Sequence, residues 1–146
     1  MPRQQHGPEG ELTATQHEIM AVVWAAPAPG ATVTGIWQAV ADQRGVTRTT
    51  VLNLVDRLEK RGWLVRESVA GVYHYRATIS REAAERRLAT GFMAEFFGGS
   101  PTHLVQSLLG SADVSTADLD RLQKLLVEAK RKRARGGERP PKGGHA

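Results

Sequence analysis

Residues 47–77, TRTTVLNLVDRLEKRGWLVRESVAGVYHYRA, change their hydrophobic period once, and that change limits what they can build. Up to Gly62, Val51, Leu54, Val55 and Leu58 recur at the 3.6-residue spacing of a helix with one face turned to a core. Gly45 breaks the preceding segment, and Thr47 then offers a side-chain oxygen to the free amides of a first turn. Lys60 and Arg61 suit the negative end of the helix dipole, and Gly62 stands where a left-handed residue stops the helix. From Trp63 the period moves toward two. Trp63, Val65 and Glu67 alternate with Leu64, Arg66 and Ser68, Ala70-Gly71 can turn, and Val72 to Arg76 can return. A hairpin this short is not stable alone, so it must lean on helices.

The polar face of that helix carries Arg48, Thr49, Thr50, Asn53 and Arg57, most of them near its N-terminus beside Thr47. Hydrogen-bonding side chains at the N-terminal end of a helix are the chemistry that reads base edges in a major groove. Arg48, Thr49, Thr50 and Asn53 are therefore the candidate base contacts, and Thr47 beside them belongs to the same candidate DNA-binding set. Arg57, with Arg66, His74 and Arg76 of the hairpin, is a candidate for phosphates or the minor groove. Helix, glycine stop and basic hairpin together describe the reading head of a winged helix-turn-helix. The rival is a solvated basic surface with no partner.

Upstream, residues 1–11 are polar and rich in Gly, Pro and Gln, which predicts a disordered arm. Thr13 or Thr15 can cap a first helix, with Gln16 or Glu18 three residues on completing a capping box. Leu12, Ile19, Met20, Val23 and Trp24 form its buried stripe, and Pro27-Ala-Pro29-Gly30 ends it. Val33 is expected in a single short strand, and Thr34 is expected to cap a second helix with Ile36, Trp37 and Val40 inward. Trp24, Trp37 and Trp63 fall on successive elements, as if all three meet in one core.

Downstream, three short amphipathic helices are predicted. One is capped by Ser80 and runs to Phe96, stopped by Gly98-Gly99. The next opens at Ser100-Pro101 with Leu104, Val105, Leu108 and Leu109 on one face. The last opens at Ser115 with Asp118 three residues on, and bears Leu119, Leu122, Leu125 and Leu126. Helices of this length are marginal alone in water, and packing against a second copy is the economical use of their apolar faces. Phe92, Phe96, Phe97, Leu104, Leu108, Leu119, Leu122 and Leu126 are the candidate dimer interface. The expected organisation is a disordered arm at 1–11, a winged helix domain at 12–79, a helical dimerisation region at 80–134 and a disordered basic tail at 135–146. The fold class is mainly α with a small β-wing.

Charge follows this division. Residues 44–87 carry ten basic and five acidic side chains and residues 130–146 seven and one, whereas residues 1–43 and 88–129 are each net acidic. Positive charge is concentrated in the reading head and the tail, where it can attract phosphate. The tail, KRKRARGGERPPKGGHA, either adds nonspecific phosphate attraction or is merely solvated. The chain contains no cysteine, which excludes disulfides, thiolate metal sites and cysteine nucleophiles. His17 is followed four residues later by Ala21, so the two-histidine zinc spacing is absent. No metal, cofactor or catalytic constellation is expected. No apolar run approaches a bilayer span and the N-terminus lacks a signal-peptide core, which predicts a cytoplasmic protein without membrane insertion.

LTATQHEIMAVVW, TVLNLVDRLEKRGWLVRE, the YHYRA return strand and FMAEFFGGSPTHLV jointly resemble the penicillinase repressor family of the BlaI and MecI type, over about Leu12 to Lys130. The resemblance implies a homodimer on a palindromic operator that represses transcription, with Arg48 to Arg57 reading the groove. In the family, release often follows cutting of an Asn-Phe bond in the dimerisation helices by a membrane sensor protease, so the expected release here is by such proteolysis or by another, unknown signal. The matching bond here is Ser107-Leu108, a departure from that pattern. A related branch senses copper through C-terminal cysteines, which this chain lacks. The expected function is thus a dimeric DNA-binding repressor. The alternative is a winged helix that docks proteins and touches DNA only nonspecifically.

Overall fold

The computed structural model describes residues 8–136, and the arm before residue 8 and the tail beyond residue 136 lie outside the described residues. Eight elements follow in order: α1 (Ala14–Ala25), α2 (Val33–Arg44), α3 (Arg48–Lys60), β1 (Leu64–Val69), β2 (Val72–Ala77), α4 (Arg81–Phe96), α5 (Pro101–Leu109) and α6 (Thr116–Arg135). They form two compact units that divide between Glu95 and Phe96.

In the first unit, α1 begins with a complete capping box. The Thr13 hydroxyl accepts from the Gln16 amide, and the Gln16 side chain accepts from the Thr13 amide. The cap of α2 is Thr32 and not Thr34, which lies within the helix, and Val33 is its first residue rather than a strand. The strand-like contact falls on Ala31, which exchanges backbone hydrogen bonds with Tyr75 of β2 at 3.0 and 2.8 Å. Gly30 makes that approach possible, because a Cβ there would lie 2.5 Å from the Tyr75 carbonyl oxygen. Gly45, left-handed at φ 66°, ends α2, and Thr47 caps α3, so α2 and α3 form a helix-turn-helix.

β1 and β2 pair antiparallel from Leu64 opposite Ala77 to Val69 opposite Val72. Their turn has positive φ at both Ala70 and Gly71, the mirror-image turn whose twist suits a two-residue hairpin. Ile19, Met20, Ile36, Val51, Val55, Leu58 and Leu64 are fully buried where α1, α2, α3 and the hairpin converge, and Tyr75 joins them. Ala84 extends this core into α4, so the compact unit continues past the expected boundary at residue 79.

The tryptophans divide their roles. Trp63 is buried, while Trp24 and Trp37 lie at the core's edge instead of its centre. Each indole N–H donates to the carbonyl of a connecting segment: Trp24 to Ile79, Trp37 to Val46 and Trp63 to Glu9, at 2.9–3.0 Å. The last bond bears on the expected disordered arm. The backbone carbonyls of Glu9 and Glu11 also accept from the Arg61 guanidinium, and the Glu9 amide donates to the Arg61 carbonyl, so residues 9–11 are tied to the end of α3.

In the second unit, Ser100 caps α5 with Pro101 in its first turn, and Ser115 with Asp118 forms a capping box on α6. Neither helix contains a buried residue. Val105, Leu108, Leu109, Leu119, Leu122, Leu125, Leu126 and Val127 are all exposed on the single chain.

Candidate nucleic-acid interface

The helix-turn-helix presents the N-terminal part of α3 outward because its inner face is consumed by the core. With Val51, Val55 and Leu58 buried, Thr49, Asn53 and Arg57 lie on the open side at helical spacing. Thr47, the cap, accepts from the Thr50 amide at 3.1 Å, and the two threonine hydroxyls are 3.0 Å apart. If Thr47 donates in that pair, the Thr50 proton remains available to an acceptor on a base or phosphate. Thr47 itself acts mainly as the cap that orients Thr50.

Arg48 sits on the flank of α3 that faces α2, and its Nε donates to the Thr34 hydroxyl at 3.0 Å. Thr34 therefore positions Arg48 instead of capping a helix, a role that only a contact between elements reveals. The two terminal nitrogens of the guanidinium still carry the paired N–H donors that suit a guanine edge or a phosphate.

Two other residues of the α3 surface escape a reading by polarity. Leu52 is 42% exposed on the same open side, an apolar group of the kind that packs on a thymine methyl. Asp56 lies one turn on and is paired with Lys60 at 3.1 Å, which reduces its repulsion toward a phosphate backbone.

The hairpin does not bring its three basic side chains together. Arg66 is opposite Tyr75 in the register, so it shares the core-facing side of the sheet. Its guanidinium lies 4.2 Å from the centre of the Tyr73 ring and its Nε 3.4 Å from the Glu59 carboxylate on α3. Hydrogen bonding to Tyr75 first, and the Glu59 carboxylate second, hold this guanidinium above its ordinary pKa. Arg66 thus braces the wing against α3. Arg76 and His74 alternate onto the opposite side, paired with Val65 and Glu67. Arg76 is exposed, and the His74 Nδ1 lies 3.1 Å from the Val72 carbonyl oxygen, which favours the tautomer protonated at that nitrogen.

The expected interface residues sit in both units. Phe92 is exposed on α4, Phe96 is exposed at its end, and Phe97 packs edge-to-face on His103 with ring centres 5.3 Å apart. Leu104 is half-buried, while Leu108, Leu119, Leu122 and Leu126 are exposed. Leu125 and Val127, left out of the expected set, are as exposed as their neighbours.

Residues 12–128, which include the helix-turn-helix, the wing and most of the second unit, match the penicillinase repressor family. The chain belongs to this family. Membership and the observed helix-turn-helix with its wing make it a winged helix transcriptional repressor of DNA-binding type, as the sequence resemblance implies. The methicillin resistance regulatory protein MecI of Mammaliicoccus sciuri is 21% identical over 116 residues, which cover 80% of this chain and 93% of MecI. The penicillinase repressor of Staphylococcus aureus is 20% identical over 122 residues, covering 84% and 95%. Among solved structures, the transcriptional regulator SlyA aligns at a TM-score of 0.39 and 17% identity, covering 82% of this chain and 73% of that one. Among the described residues, no helix is long and apolar enough to cross a membrane.

Proposed function

We propose that this penicillinase repressor family member binds inverted-repeat operators as a homodimer and represses by occupying promoters against polymerase. The observation that carries the reading is the outward N-terminal face of α3, where Arg48, Thr49, Thr50 and Asn53 stand together on a helix-turn-helix. A recognition helix uses that end to reach base edges, and a two-fold dimer matches a two-fold site. The dimer is supported by α5 and α6, most of whose apolar side chains are exposed among the described residues. A surface of that kind on a soluble domain marks an interaction site.

For release, the family resemblance supplies a membrane sensor protease as partner. One feature favours a cut at Ser107-Leu108: both residues are exposed on a nine-residue helix that buries no side chain and therefore opens at little cost.

Genome-wide capture tests the central reading. Purified protein is incubated with sheared DNA from its source organism at near-physiological salt, and the retained fragments are sequenced. Sharp recovery of inverted repeats in promoters is the expected result. Diffuse recovery that vanishes as salt rises would favour the protein-docking alternative.

A further inference from the structure

We propose that the last turns of α6 form a second phosphate-binding surface, built from residues other than those of the recognition helix and wing, that engages duplex DNA without regard to sequence. The proposal deepens the repressor reading and rests on it for its biological setting, although its test does not require an operator.

Five of the six residues from Lys130 to Arg135 are cationic. The helix runs unbroken through them, and all are exposed. Among the described residues only Arg131 of this group has a carboxylate within ion-pair distance, Glu128 at 3.8 Å. At about 1.5 Å and roughly 100° per residue, the charges fall within about 8 Å of helix axis and point around its whole circumference. Arg131 and Arg135 are four apart, a like-charge spacing that weakens a helix. The helix dipole offsets part of this repulsion, because cations are favoured at a C-terminus.

Packing does not explain the array. The apolar stripe of α6 ends at Val127, and the only uncharged residue after Lys130 and before Gly136 is Ala134. A face built only to cover leucines has no use for these turns. Their dense charge, four of its five cations without a carboxylate at ion-pair distance among the described residues, matches a polyanion, and duplex DNA supplies one charge per ~1.7 Å of its axis. An anionic membrane is the rival partner, but its helices need an apolar face beneath the cations. Residues 130–135 have none, and the leucine-bearing turns carry Asp118, Asp120 and Glu128, which anionic headgroups repel.

The test compares full-length wild type with a quadruple variant, Lys130→Gln, Lys132→Gln, Arg133→Gln and Arg135→Gln, on a fluorescein-labelled duplex of mixed sequence across a salt series. Each lost phosphate contact should flatten the slope of log affinity against log salt by ~0.9, so a loss of about 1.8 or more per protomer is expected. The charge-preserving variant Arg131→Lys, Arg133→Lys and Arg135→Lys should keep the wild-type slope, and sedimentation and circular dichroism should show both variants folded and assembled as wild type. An unchanged slope in the glutamine variant overturns the proposal. So does binding of the wild-type array to phosphatidylserine vesicles combined with no slope difference on DNA. Failure of the repressor reading looks different: wild type then shows no preference among promoter fragments, while the slope comparison on mixed-sequence duplex still decides the role of α6.

Discussion

Arg48 is restrained before any nucleic acid arrives, because its Nε donates to the Thr34 hydroxyl while its terminal nitrogens retain donors for a further partner. Restricting a long side chain in advance lowers the ordering cost of each bond it makes in a complex. Arg48→Ala should therefore cost ~1–3 kcal/mol at one base pair and relax preference there. Thr34→Val should weaken discrimination at the same base pair, and the two substitutions should be non-additive in a double-mutant cycle on operator variants. Additive losses would detach Thr34 from Arg48. The wing arginines should separate by the face they occupy. Arg76→Ala should weaken all sequences alike and lower the salt slope by about 0.9, whereas Arg66→Ala should leave the slope unchanged, since Arg66 is spent on Glu59 and Tyr73. A reduced slope for Arg66→Ala would return it to the phosphate contacts.

At the level of elements, the wing turn contains a correctable cost. Ala70 is the only non-glycine described residue with a positive φ, at 53°, a region that opposes an L side chain with Cβ. Asn tolerates that region and Asn-Gly is the favoured pair for this turn, so Ala70→Asn should stabilise the protein by ~0.5–1 kcal/mol in urea unfolding. No gain, or a loss, would show that the turn is not populated in solution. A second element contact is titratable. Both Glu18 carboxylate oxygens accept from Arg44, linking α1 to α2, and that bonding holds the Glu18 pKa below its ordinary value. A depressed folded pKa means the contribution is complete above the unfolded-state pKa and is lost as pH falls through the folded value. Wild type should thus lose more stability on acidification than Glu18→Gln, and parallel stability curves in acid would remove this link. These cases also show what is legible in the sequence. Caps at Thr13, Thr47, Ser100 and Ser115 are local and can be read from residue type and spacing. Thr32 in place of Thr34, the inward face of Arg66 and the tethering of Glu9 to Trp63 follow from contacts between elements, of Ala31 with Tyr75, Arg66 with Glu59 and Glu9 with Trp63, which periodicity within one element does not see.

The exposed leucines of α5 and α6 bear on how two copies of the chain assemble. Leu126 is 64% exposed on the single chain, so replacing it removes no buried contact within a protomer. Leu126→Asp should leave the thermal unfolding of the first unit's core essentially unchanged, as surface substitutions generally do. In a dimer seam the same aspartate would be a desolvated, unpaired charge, at a cost well above that of losing one leucine contact. Sedimentation should therefore find the variant shifted to monomer at concentrations where wild type is dimeric. Operator affinity should fall with it, because two linked heads gain effective concentration at paired half-sites that single heads lack. Affinity for one isolated half-site should be nearly unchanged, which separates loss of assembly from damage to α3. A variant that remains dimeric and binds operator as wild type does would place the seam elsewhere, with Phe92 and Phe96 of α4 the next surface to probe.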